Sequence, residues 1–285
     1  KGIEENQALI VVCENNFHGR TTTIVSFSVD RDAYGNYGPF TPGFIVIPYN
    51  NVEILENVLN ENKDIAGFLM EPIQGEAGAY VPDDGYLKKC YDLCRKNNVL
   101  FIADEVQTGI ARTGKLLACD YEGVHPDILI LGKALSGGTY PVSAVLSDQQ
   151  IMDVIQPGQH GSTFGGNPIA AAVAVAALEV VRDENLAEKA FELGVYFRHE
   201  MDQLCSASKI ASFVRGKGLL NALIINNEQQ NDLAWEICLR LADNGLLAKP
   251  THTNIIRFAP PLVITKEQLA ECVEIIKSTI KAFEE

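Results

Sequence analysis

Val99-Leu-Phe-Ile-Ala-Asp104-Glu105-Val106-Gln107-Thr-Gly109 and Asp127-Ile-Leu-Ile-Leu-Gly-Lys133-Ala-Leu-Ser136-Gly137-Gly138 decide the fold. Each is a short apolar run followed by an ionisable group, a carboxylate in the first and an amine in the second. Runs of roughly four to eight apolar residues closed by turn signals suit strands buried on both faces of a parallel sheet. Ligands of such sheets sit outside the carboxyl ends of the strands. That arrangement sends Asp104 and Lys133 toward one crevice. A lysine partly withdrawn from water there has a lowered pKa and a nucleophilic amine, which Schiff-base chemistry requires. Spacing alone leaves a plainer alternative open, an aspartate capping a turn and a lysine reaching solvent.

Working outward, strand-like and helix-like segments alternate from residue 8 to residue 146, the mark of a layered α/β domain. Residues 8–13, 44–48, 65–70 and 141–146 read as further strands. Residues 51–60 read as a helix with Val52, Leu55, Val58 and Leu59 on one side. Asp83 or Asp84 is placed to N-cap another that ends near Asn98. An Ala-rich helix from Asn167-Pro168 through Val181 suggests close packing inside the protein. After Glu184 the pattern changes. Helices over 185–205 and 230–244 surround short strands at 213–214, 219–225, 247–249 and 255–258. A final helix opens with a capping box of Thr265 and Gln268. A smaller α+β domain over 185–285 is expected behind a larger one over 1–184.

Several motifs bear on chemistry. In Asn16-Phe17-His18-Gly19-Arg20-Thr21, an apolar ring beside the crevice suits stacking on a flat heterocycle, and the Arg suits bidentate grip of a carboxylate. A glycine turn with a surface arginine is the bland reading of the same residues. Glu71 and Glu76 are two acids five residues apart, but no aromatic sugar platform accompanies them, which argues against a glycosidase. Gly161-Ser162-Thr163-Phe164-Gly165-Gly166-Asn167-Pro168 is hydroxyl-bearing and glycine-rich before a helix start, which suits an anion or, more simply, an N-cap. Glu105 beside Asp104 tempts a metal assignment, yet none of the five His forms a ligand pair by spacing, and no metal is expected.

The stretch from Leu100 to Gly114, with Leu131 to Gly138, resembles the class III (subgroup II) aminotransferases that depend on pyridoxal 5'-phosphate (PLP), and the likeness runs through nearly the whole chain. The resemblance implies the fold type I PLP-dependent transferase architecture: a mostly parallel central sheet with helices on both faces, plus a smaller C-terminal α+β domain. It implies that Lys133 holds the cofactor and that Asp104 keeps its ring nitrogen protonated. By the same likeness Phe17 stacks on the ring, Val106 covers the opposite face and Gln107 bonds the phenolic oxygen. Ser162 and Thr163 reach the phosphate of a neighbouring subunit, which implies a homodimer with shared active sites. Arg20 holds a substrate carboxylate, and Glu76 pairs with Arg257 so that one pocket accepts both a neutral or cationic donor and 2-oxoglutarate. Family members carry a substantial part before the position of Lys1, so the chain is expected to be a piece of a longer enzyme, with a transit peptide neither seen nor excluded.

Charge and cysteine content narrow the setting. Lys and Arg minus Asp and Glu is 23 − 37, or −14, which argues against nucleic acid or an anionic membrane as partner. Seven Cys without a Cys-x-x-Cys pair indicate reduced thiols and an intracellular protein, cytoplasmic or in the mitochondrial matrix. Cys90 and Cys94 share helical spacing with Leu87 and Tyr91 and read as core residues. The longest apolar run, 169–178, is far short of the roughly 20 residues a bilayer span needs.

Overall fold

The computed structural model describes residues 1–226 and 232–285, and the chain divides into two compact units. The first comprises 1–72, 82–109 and 117–180; the second comprises 73–81, 110–116 and 181–285. Two excursions from the N-terminal part therefore belong to the second unit, whereas a single cut at 184 assigns them to the first.

In the first unit, strands β1 (Leu9–Cys13), β2 (Phe44–Ile47), β3 (Ile65–Met70), β4 (Leu100–Asp104), β5 (Ile128–Leu131) and β6 (Ala144–Ser147) form one sheet in the order β2-β1-β3-β4-β5-β6. All neighbours are parallel except β5 and β6. Short helices α1 (Thr22–Val25) and α2 (Arg31–Tyr34) follow β1, and α3 (Val52–Glu61), α4 (Tyr86–Lys96), α5 (Gln149–Met152) and α6 (Pro168–Asp183) complete the layers. Side-chain alternation explains the two-sided burial. Val11, Cys13, Phe68, Met70, Phe101 and Ala103 face one way and pack with Leu55 and Leu59 of α3 and Leu87, Cys90 and Cys94 of α4. Val12, Leu69 and Ile102 face the other way and meet Ile24 and Phe27. Each large side chain so buried stabilises the fold by about 1.5–3 kcal/mol. The two cysteines are core residues, as their spacing indicates.

Two local expectations are corrected. Neither Asp83 nor Asp84 N-caps α4; Gly85 stands at that position, with φ +84°. The Glu122 carboxylate, distant in sequence, accepts from the backbone N–H of Gly85 (3.1 Å) and Lys88 (2.8 Å). The cap therefore arrives through tertiary structure and leaves no local signature. The Ala-rich helix α6 is not packed inside this chain: of its residues only Ala170 is buried, while Ile169, Val175, Leu178 and Val180 are exposed. Small apolar residues lie all round that helix, so its sequence shows that it wants covering without showing by what.

The second unit holds helices α7 (Leu186–Ala207), α8 (Leu233–Asp243) and α9 (Lys266–Ala282), and strands β7 (Ala211–Lys217), β8 (Leu220–Ile225), β9 (Lys249–Thr251) and β10 (Ile255–Phe258). The strands form an antiparallel sheet in the order β7-β8-β10-β9. Gln230 and Asn231, placed above at the start of the second helix, lie outside the described residues. The capping box at α9 is present, with Thr265 Oγ1 accepting from Gln268 N at 3.2 Å. Leu247, expected in a strand, is exposed, and the strand begins two residues later because Leu246 and Ala248 supply the core contacts. Gly218, with φ +55°, closes the β7–β8 turn; a Cβ there would lie 2.3 Å from the backbone of Thr113, so no larger residue fits.

One face of this sheet carries the three helices, through Leu223, Ile225, Ile256 and Phe258. The other face carries Leu220, Ala222, Ile224 and Ile255, and these pack with Ile73, Ala79 and Val81. The excursion 73–81 is thus held to the sheet by apolar burial. Among the described residues no helix is long and apolar enough to cross a membrane.

Candidate active site

The first unit gathers chemistry at the carboxyl ends of its parallel strands. β1 lies between β2 and β3, so the strand order reverses there, and in open α/β sheets ligands sit outside the strand ends at such a reversal. Asp104 closes β4 and is paired with Ile130 of the neighbouring β5; Lys133 follows three residues beyond Ile130. The carboxylate and the amine therefore leave adjacent parallel strands at the same edge. Lys133 adopts φ +44°. A left-handed conformation in a residue other than glycine costs about 1–3 kcal/mol and is concentrated at functional sites.

Asp104 is buried, and both its oxygens are engaged. Oδ2 accepts from His18 Nδ1 at 2.7 Å, and Oδ1 accepts from Val106 N at 3.0 Å. His18 comes from the turn after β1, so the first strand end is tied to the fourth. Nothing in the sequence assigns His18 a role. The signal available was only its neighbourhood, between Phe17 and Arg20 in a turn after a strand, and no local pattern announces a partner 86 residues away. Its Nε2 is buried without a hydrogen-bond partner.

Phe17 donates its backbone N–H to Glu71 Oε2 (3.0 Å), which joins the ends of β1 and β3. Arg20 is exposed, with its guanidinium carbon 5.6 Å from the centre of the Phe17 ring. The Val106 side chain lies where a Cβ on Gly132 would meet it at 3.3 Å, so a glycine before Lys133 lets the two strand ends approach. Gln107 follows on the same turn. Beside Lys133 opens a cavity of about 420 Å³ lined also by Ser136, Tyr140, Pro141, Val142 and Ser143. Lys133 itself is exposed, contrary to the expected partial withdrawal from water, because it opens the 3₁₀ turn Lys133–Ser136 beyond the end of β5.

Glu105 points away from this group. Its carboxylate accepts from the Thr108 hydroxyl and from Ala118 N (3.0 Å) and Cys119 N (2.8 Å), and burial pushes its pKa up. It holds the start of the 3₁₀ turn Ala118–Tyr121. Ser162 and Thr163 lie in an exposed turn. Ser162 Oγ accepts from Gly165 N at 3.0 Å, and Asn167 Oδ1 caps α6 by accepting from Ala170 N at 2.9 Å. The structure does not bring this pair to Asp104 and Lys133 within the chain.

In the second unit, Arg257 lies on the sheet face that receives 73–81. Its Nη1 is 3.0 Å from Glu76 Oε1 and 2.7 Å from the Gly75 carbonyl. Burial by itself would raise the Glu76 pKa, but Lys249 and Arg257 outweigh it and hold the carboxyl below its ordinary range.

The residues of the first unit fit a flat, anionic aldehyde cofactor: an amine at one strand end, a buried carboxylate at the next, an apolar ring at a third and Val106 beside the amine. Residues 1–280 match the aminotransferase class-III family model. The chain belongs to the class-III aminotransferases, whose members use PLP.

Among curated relatives, it is 60% identical over 280 residues to ornithine aminotransferase, mitochondrial, of Drosophila melanogaster, covering 98% of this chain and 64% of that protein. A crystal structure of ornithine aminotransferase from Toxoplasma gondii superposes with a TM-score of 0.96 at 47% identity, covering 99% of this chain and 66% of that one. Acetylornithine aminotransferase from Elizabethkingia anophelis is 66% identical, with a TM-score of 0.89 over 99% of this chain and 69% of that one. The chain spans 64% of the length of the Drosophila melanogaster and Rattus norvegicus relatives.

Proposed function

We propose that this protein moves the δ-amino group of L-ornithine to 2-oxoglutarate, giving glutamate and glutamate 5-semialdehyde, which cyclises to pyrroline-5-carboxylate. Bound PLP supplies an electron sink for the carbon that loses its proton. Lys133 would hold the cofactor through Nζ, and once the substrate's amino group displaces it, the freed Nζ takes the proton from the carbon bearing the migrating amino group. Asp104 holds positive charge at the ring nitrogen, and His18 holds Asp104. Phe17 and Val106 bracket the ring, and Gln107 donates to its phenolic oxygen. Arg20 grips a substrate carboxylate. Ser162 and Thr163 bind phosphate across a homodimer interface.

The observation that carries the donor assignment is the 3.0 Å contact between Arg257 and Glu76. A bare arginine favours the dicarboxylate and disfavours ornithine; an arginine neutralised by a movable glutamate accepts either in turn. The segments 76–82, 215–222 and 244–252 tip the resemblance toward ornithine aminotransferase over its relatives, and the first of them carries Glu76. Glu76→Ala is expected to lower discrimination among amino donors about tenfold in the first half-reaction. Stopped-flow half-reactions with a donor panel check this, and an unchanged preference contradicts it. A second reading, acetylornithine as donor, is supported by the 66% identity to the Elizabethkingia structure. The same panel separates the two: a higher specificity constant for acetylornithine than for ornithine decides for the second.

The homodimer is supported by the exposed apolar surface of α6, which a second copy would cover. Light scattering on the holoenzyme is expected to give twice the chain mass, and a monomer's mass contradicts the shared phosphate site. The setting we propose is the cytoplasm, or the mitochondrial matrix as the name of the Drosophila relative suggests for that protein.

A further inference from the structure

Glu76 has two cationic partners. Its Oε1 meets Arg257 at 3.0 Å, and its Oε2 accepts from Lys249 Nζ at 2.8 Å. Lys249 and Arg257 are directly opposite each other in the β9–β10 ladder. Like charges at a cross-strand pair repel, so a carboxylate shared between them offsets the repulsion. The Arg257 side chain is 11% exposed and that of Lys249 59% exposed, so one cation faces inward and the other faces water.

The loop that carries Glu76 is fixed independently of its carboxylate. Arg257 Nη1 holds the Gly75 carbonyl at 2.7 Å. Arg215 Nε holds the Gly78 carbonyl at 2.8 Å, and its Nη2 holds the Ala77 carbonyl at 3.1 Å. A Cβ on Gly78 would lie 2.8 Å from the Ile255 side chain, which shows how closely the loop sits on β10. With the backbone clamped at both ends, Glu76 can leave Arg257 by rotating its own side chain.

From this we propose that Lys249 is a specificity-determining residue, the station that retains Glu76 when Arg257, still holding the Gly75 carbonyl, takes a substrate carboxylate. The inference rests on the dual-donor reading above and adds a third member to it. A half-buried carboxylate released from Arg257 with no second cation would be left unpaired, and that cost would fall on the binding of the dicarboxylate acceptor alone. Lys249 removes the cost. Because it retains Glu76 through the other oxygen, it does not need to touch either substrate.

The test is a set of half-reactions in the PLP-loaded holoenzyme. Lys249→Gln is expected to raise the KM for 2-oxoglutarate about fivefold, with kcat within twofold and the ornithine half-reaction within twofold. Lys249→Arg is expected to restore the KM. In a Glu76→Ala background, Lys249→Gln is expected to have no further effect, since Lys249 acts through Glu76. A KM for 2-oxoglutarate unchanged in Lys249→Gln overturns the proposal, as does an effect of equal size in the Glu76→Ala background, which would mean only a general attraction for anions. If Glu76→Ala alone leaves donor preference unchanged, the dual-donor reading fails; if it shifts preference while Lys249→Gln is silent, only the role of Lys249 fails.

Discussion

Lys133→Ala is expected to lose the visible absorbance band that PLP gives the wild-type protein, and amino transfer is expected to fall by at least about a thousandfold. The size follows from two losses at one atom. On the function proposed above, Nζ anchors the cofactor covalently and moves the substrate proton, and alanine supplies neither. The loss is not one of folding, because Lys133 is exposed and its side chain fills no core. Replacing a left-handed lysine by alanine leaves the local backbone strain much as it was. Absorbance after addition of PLP, together with single-turnover rates, measures both consequences. A retained band with more than a tenth of the wild-type rate contradicts the assignment.

The second large effect is expected at Asp104. Asp104→Asn keeps the shape of the side chain and an acceptor for Val106 N, but removes the charge proposed to hold a proton on the cofactor ring. Stabilisation of a charge that develops during reaction is worth about a hundredfold to a thousandfold in enzymes generally, and a loss in that range is expected in kcat. The band of the bound cofactor should persist, since Lys133 is untouched. That contrast separates the two roles: Lys133→Ala loses both cofactor and rate, whereas Asp104→Asn loses rate first. Activity within tenfold of wild type would show that the buried carboxylate only anchors His18 and the turn at Val106.

How much of this was legible beforehand depends on the range over which each feature is built. Lys133 and Asp104 are set by strand ends, and apolar runs of strand length with a polar terminus show directly in a sequence. So does the two-sided first sheet, because consecutive residues such as Val11 and Val12 are both apolar and both buried. The Glu76–Arg257 contact was reached through family likeness; what the structure adds is the reason for it. Ile73, Ala79 and Val81 fix an excursion of the chain onto the open face of β8 and β10, and that brings residues 181 positions apart together.

What the sequence concealed is long-range and polar. His18 and Glu122 each find a partner far along the chain, and an acid or imidazole carries no mark of the element it will meet. The cation opposite Arg257 was hidden by register: the pairing of β9 with β10 places Lys249 across from Arg257, and a list of strands does not say which residues face each other. The covering of α6 was illegible for another reason. A helix apolar on all sides records a need for burial and says nothing about which surface supplies it.

Borohydride reduction of the PLP-loaded protein, followed by digestion and mass mapping, shows whether the amine at the end of β5 carries the cofactor next to the carboxylate at the end of β4. A pyridoxyl group is expected on the peptide containing Lys133 and on no other lysine peptide. A pyridoxyl group on a different lysine, or an unmodified Lys133 peptide from protein that has taken up the cofactor, would contradict it.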